Sequence, residues 1–331
     1  MRFVLRKLGF YAIAAWAAIT LNFFIPRLIK GNPVDLFLSR VQATSPPPPE
    51  YRRALELQFG VSDDPLWVQY FGYLKNLAHG NFGLSITNYP VPVSTVIAQA
   101  LPWTLVLVGV SLTITVVLGV GLGALAGWKR GTWIDGLIPS TTFLAAIPYF
   151  WLALILLFLL GSTLGWFPLN FGYDVANFTG PEASGAFLGS AIYHGTLPAL
   201  TIVLSGVAGW MLGMRNMMVS TMAEDYVVMA EAKGLSPRRV MLSYAARNAV
   251  LPSVAGFAIS LGFVVSGQIA TEIVFNYPGI GFALIQAVNS ADYPLMQGIF
   301  LIISLAVLGA NLLVDLVYGV IDPRTRQEAR A

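Results

Sequence analysis

The sequence contains no cysteine, so disulfides and thiolate metal ligands are excluded and the redox compartment leaves no mark on it. Histidine is nearly absent, with His79 and His194 alone. Neither stands beside a carboxylate cluster at ligand spacing, so no metal site is expected. Charge is the third scarcity. Only 11% of residues are charged, where a soluble domain carries about a quarter. Catalytic signatures are missing too. Without a GxxxxGK[ST] loop the chain has no P-loop route to ATP hydrolysis, and neither a nucleophile elbow nor an HExxH pair occurs. No catalytic residue is expected, which weighs against a membrane enzyme.

What the chain has in excess is apolar side chain. These residues make up 56% of it, with a mean hydropathy of +0.70, which places it in the lipid bilayer as an integral membrane protein. The net charge of +3 then reports loop orientation, and nucleic acid is not an expected partner. Arg2, Arg6 and Lys7 precede a first apolar run over residues 8–25. A signal peptide begins similarly, but this run is long and aromatic-rich and no small-x-small site closes it, which favours a transmembrane helix. Residues 31–95 are polar, with a proline run at 46–49 that suits a stiff spacer and amphipathic segments at 51–59 and 66–77. They predict an extracytoplasmic loop subdomain too short for a substantial core of its own. Apolar runs return at 96–127, 136–164 (interrupted by Pro139 and Pro148), 192–214, 253–275 and 295–320. The expectation is an all-α membrane protein of six transmembrane helices, divided into 1–30, 31–95 and a five-helix core over 96–331.

Orientation follows from the bases. Thirteen of the nineteen fall at the N-terminal tip, the 128–133 turn, the 215–247 stretch and the tail. The remaining six cluster at or within the long first loop, which weighs less in the positive-inside rule. Both termini and the 215–250 region should therefore be cytoplasmic.

Few residues stand out as sites. Gly119, Gly123 and Gly127 are spaced by four, as in small-xxx-small helix packing. The nearby Gly121-Leu122-Gly123-Ala124-Leu125-Ala126 matches a dinucleotide fingerprint nominally, but no strand precedes it, so packing is preferred. Glu272 and Asp315 are acids at the ends of apolar runs, where a carboxylate usually faces a cavity or a partner. For Glu272, with Asn276 and Tyr277 just beyond it, a place on a translocation path and a structural hydrogen bond stand level. For Asp315 the structural role is preferred. The middle runs lack the several ionisable groups that a proton-coupled transporter shows, and no inverted repeat marks a stand-alone secondary transporter.

The one long polar island in the second half covers residues 223–252. Two short helices meeting at a turn are predicted there. Gly234 suits a left-handed C-terminal residue and Lys233 the negative end of the first helix. Ser236 offers a side-chain oxygen as N-cap, and Pro237 fits the first position of the second helix.

This island resembles the cytoplasmic EAA loop of the permeases of binding-protein-dependent ABC importers, in the oligopeptide/dipeptide branch. The resemblance is carried by Asp225-Tyr226, by Ala230-Glu231-Ala232-Lys233-Gly234-Leu235-Ser236, and by Arg247-Asn248-Ala249 with Leu251-Pro252. Val228 and Met229 stand where the family pattern has Glu and Ala. Further similar segments follow the family order. They include Gly31-Asn32-Pro33, Gly80-Asn81-Phe82-Gly83, Glu272-Ile273-Val274-Phe275, Asp292-Tyr293-Pro294 and Asp322-Pro323-Arg324. The resemblance implies the type I importer permease fold, with residues 216–250 as a cytoplasmic coupling loop. It implies that Asp225, Tyr226 and the run from Ala230 to Arg238 engage an ATPase subunit, so that ATP and Mg are bound by partner subunits and no cofactor by this chain. The implied partners are a second paralogous permease, two ATP-binding cassette subunits and an external solute-binding protein, all at the inner membrane. Peptides are the leading cargo, with oligosaccharides or nickel complexes as the alternative.

Overall fold

A computed structural model describes residues 2–28, 33–40, 48–58, 64–266 and 268–321. In chain order the helices are α1 (Arg2–Leu28), α2 (Pro33–Arg40), α3 (Pro49–Gln58), α4 (Leu66–Ala78), α5 (Val93–Trp128), α6 (Trp133–Ala146), α7 (Tyr149–Leu156) and α8 (Gly185–Met222). They continue with α9 (Asp225–Ala232), α10 (Pro237–Arg239), α11 (Arg247–Ala249), α12 (Leu251–Phe263), α13 (Ile269–Val274), α14 (Ile280–Asn289) and α15 (Tyr293–Ile321). Among the described residues there is no strand, only an isolated bridge between Leu84 and Pro92. Segments 31–32, 46–47 and 322–324 of the resemblance and spacer readings lie outside the described residues.

Among the described residues, four helical stretches are long and apolar enough to cross a bilayer: Leu5–Phe24, Val93–Trp128, Gly185–Met222 and Tyr293–Leu313. The other two expected spans are built from shorter pieces. The 136–164 run breaks where Ile147 turns extended (ψ 128°) before Pro148, and ends in the π-helical turn Leu157–Thr163. A residue before proline is pushed out of the helical region, so the break falls there, while residues around Pro139 stay helical. In the 253–275 run, α12 passes into a 3₁₀ turn, Val264–Ser266, before α13.

The chain forms two compact units, of residues 1–104, 265–269 and 278–331, and of 105–264 and 270–277. In the first, Asp315 on α15 accepts hydrogen bonds from Lys7 Nζ (2.7 Å) and Tyr11 Oη (2.8 Å) of α1. That is the structural role preferred for it. At the other end of α1, Phe23 is fully buried against Tyr70 and Tyr73 of α4, and the Arg27 guanidinium lies 3.6 Å over its ring. The expected amphipathic segment thus packs its aromatic face on α1. α2 and α3 gather a small cluster of Val34, Phe37, Leu55 and Ile86. The main core of this unit joins Val93 and Ile97 at the start of α5 to Ile280 and Leu284 of α14 and Leu295 and Ile299 of α15.

Asp292 organises the join before α15. It is fully buried, accepts the Leu295 N–H as a helix cap (3.1 Å), and accepts Ser85 Oγ–H (2.5 Å) and the Thr87 N–H (2.8 Å).

In the second unit α5, α6 and α8 form the frame. Arg215 of α8 grips Asp135 of α6 through Nε (2.9 Å) and Nη2 (3.2 Å). In the loop before α8, the Ala176 N–H (2.9 Å) and the Asn177 amide (2.6 Å) hold the Asp174 carboxyl below the usual carboxylate range.

Candidate coupling site

Residues 223–250 fold back on the second unit as two helical arms. Only α9 is long enough to count as a helix of its own. It ends as the glycine predicted. Gly234 takes φ +73°, its N–H donates to Glu231 O (2.9 Å), and the Leu235 N–H donates to Ala230 O (3.3 Å). This pair of bonds is the Schellman motif, and it satisfies carbonyls that a helix end otherwise leaves open. The motif also asks for an apolar contact across the turn, and Leu235 packs into the same cluster as Ala230.

One expectation fails at the next residue. Ser236 occupies the N-cap position with extended backbone (ψ 143°), but its side chain makes no capping bond. Its carbonyl instead receives the Arg239 N–H (2.8 Å) and the Val240 N–H (3.0 Å). The Arg239 N–H, one of the two that a capping oxygen would serve, is thus taken by that carbonyl, and the turn closes without a side-chain cap. After α10 the second arm widens into a π-helical turn, Val240–Ala246, and ends in α11.

The two arms divide into an inner and an outer face. Val227 and Ala230 of α9 are buried against Val240, with Leu235, Tyr244 and Trp128 around them. Ala245 and Ala249 of the second arm pack on Ala124 of α5 and on Met214 and Met218 of α8. Facing outward are Asp225, Tyr226, Glu231, Ala232, Lys233, Gly234, Ser236, Pro237 and Arg238, all exposed. Val228 and Met229 are two large apolar side chains exposed at 53% and 57%. Of the predicted coupling residues, then, Ala230 is buried and Leu235 half-buried, and the rest present one solvent face.

The bundle beneath is tightly joined. A Cβ placed on Gly119 would fall 2.5 Å from Trp210 Cβ, one on Gly127 2.5 Å from Met218 Cβ, and one on Gly123 against the Met211 carbonyl. These glycines bring α5 and α8 into backbone contact directly under the seat of the polar island. Gly121, the extra glycine of the nominal fingerprint, meets nothing.

Glu272 and Tyr277 lie elsewhere in this unit. Both are buried, at 0% and 3% exposure, and the Tyr277 N–H donates to the Glu272 carbonyl (2.8 Å). Of the three path candidates only Asn276 is exposed, in the left-handed region (φ +46°). Burial favours the structural reading of Glu272. Among the described residues, no three metal-ligating side chains gather.

Sequence reasoning passed over Asn248 as a working residue. Its Nδ2 donates to Tyr226 Oη (2.9 Å) and to Tyr244 O (3.1 Å), bridging the two arms. The only available signal was its place in the Arg-Asn-Ala segment, 22 residues from its partner.

Residues 119–327 match the family described as the binding-protein-dependent transport system inner membrane component. The chain belongs to this family. Residues 223–250, α8 and the three spaced glycines of α5 fall within the match. The chain is also 34% identical to the di/tripeptide transport system permease protein DppB of Pseudomonas aeruginosa, over 99% of both chains. It is 32% identical to the oligopeptide transport system permease protein AppB of Bacillus subtilis, over 92% of both. The dipeptide transport system permease protein DppB of Escherichia coli strain K12 is 32% identical over 99% of both. As a binding-protein-dependent permease component the chain is a type I importer subunit of the inner membrane, and the helical fold of its described residues accords with that membership.

Proposed function

We propose that this permease subunit forms half of the translocation path of an ATP-driven peptide importer, with α9 as the element that receives the motion of an ATPase subunit. Three named peptide permeases that match nearly end to end support peptides as cargo over oligosaccharides or nickel complexes. The partners are a second paralogous permease, two ATP-binding cassette subunits that hold ATP and Mg, and a solute-binding protein outside. Six spans, cytoplasmic termini and the division at residues 30 and 95 complete the reading, with Asn276 as the remaining exposed candidate on the path.

The observation that carries it is the outer face of α9. A lever must be rigid at its turn, anchored at its base and open on its working side. The Schellman turn at Gly234 supplies the first, the buried contacts to α5 and α8 the second, and exposed Tyr226, Val228 and Met229 the third.

The test is uptake of radiolabelled peptides and oligosaccharides into vesicles holding the whole complex, with and without internal ATP and binding protein. Peptide uptake that needs both is expected. Uptake driven by an ion gradient alone would sink the importer reading, and oligosaccharide uptake would correct the cargo. The lever is tested by Gly234→Val. Nothing lies within 4 Å of the added Cβ, so the cost is the left-handed backbone itself, about 1–2 kcal/mol. Uptake should fall while the chain still inserts. Normal uptake by this variant, and by a deletion of residues 235–239, would remove the lever from the mechanism.

A further inference from the structure

The two arms of the polar island meet at a polar contact as well as an apolar one. Asn248 sits just beyond the π-helical turn Val240–Ala246, and its amide reaches across to the Tyr226 phenol at 2.9 Å. A π-helical turn holds extra residues per turn and so sets the angular position of everything that follows it. Here the residue delivered to the first arm is an asparagine, whose second bond to Tyr244 O (3.1 Å) fixes its own orientation. Tyr226 is half in and half out, at 40% exposure. With the amide N–H donated to its oxygen, the phenolic O–H stays available as a donor to an acceptor on a docked protein.

We propose that Asn248 is a positioning residue for coupling, a latch that holds Tyr226 and the outer face of α9 at a fixed angle to the second arm. The apolar contacts beneath, Val227 and Ala230 on Val240, resist separation of the arms but leave them free to roll, because apolar packing is non-directional. A hydrogen bond is directional, and this one joins the ends of the two arms. Without it α9 still docks, but part of each nucleotide-driven movement is spent turning α9 on its seat. The inference rests on the coupling role proposed above.

The experiment is a double-mutant cycle of Tyr226→Phe and Asn248→Ala in the complete complex, reconstituted in vesicles with binding protein and labelled dipeptide. Peptide taken up per ATP hydrolysed is read for each variant, alongside the amount of assembled complex. Each single variant should lower that ratio about two- to tenfold, the range spanned by one net hydrogen bond. The double variant should fall no further than the worse single. A merely structural role would lower the amount of complex and leave the ratio per complex unmoved, which overturns the latch. Effects that multiply in the double variant, or an unchanged ratio, overturn it too. Failure of the wild-type complex to couple uptake to ATP takes down the coupling role and the latch together, whereas a coupled wild type with indifferent variants takes down the latch alone.

Discussion

At the scale of single residues, glycine does two unrelated jobs in this permease. Gly234 is needed for its backbone angle and has empty space around it, whereas Gly123 is needed for its missing side chain and has none. The two requirements predict different responses to alanine. Gly123→Ala must push α5 from the Met211 backbone, and should cost about 1–3 kcal/mol as an overpacked core does. Gly121→Ala, two residues away with nothing within 4 Å, should leave stability unchanged or slightly raised. Thermal unfolding of the purified complex compares them, and equal effects would mean that the small-residue stripe does not set the helix spacing. The stripe itself was legible from the four-residue interval. That α8 is the helix it meets was not, because that depends on where α8 lies.

Among the elements, the join at Asp292 shows how one carboxylate serves two segments. It caps α15 and binds Ser85 and Thr87 from a loop some 200 positions earlier in the chain. Asp292→Ala removes the cap and leaves the buried Ser85 hydroxyl without its acceptor, a combined cost of about 2–4 kcal/mol. Asp292→Asn keeps an acceptor for the cap and should lose about half as much. Denaturant unfolding in detergent measures both, and an alanine variant as stable as wild type would show that the contact is idle. The sequence offered Asp292 only as part of a family-like segment. Its burial and its partners follow from tertiary placement. Conversely, the Gly234 turn was readable in advance, since a Schellman motif is made by residues within six positions of one another.

For the molecule as a whole, the absence of native cysteine makes the proposed orientation directly testable. Thr132→Cys, in the exposed turn before α6, should react with a membrane-impermeant maleimide only from the cytoplasmic side. Ala176→Cys, exposed in the loop before α8, should react only from outside. Labelling of both from one side would break the topology, since the charge asymmetry that predicts it assigns these two loops to opposite faces.

The sequence by itself determined the class of this protein, the existence of its apolar spans and the site of its polar island. Hydropathy, charge distribution and turn chemistry are local quantities, and each is written in contiguous residues. What only the tertiary structure decided is which residues share a face or a bond. Asn248 meets Tyr226, Asp315 meets Lys7 and Tyr11, and Glu272 is sealed from solvent rather than open to it. Each of these depends on the packing of helices distant in the chain, and no periodicity within one helix encodes its neighbour.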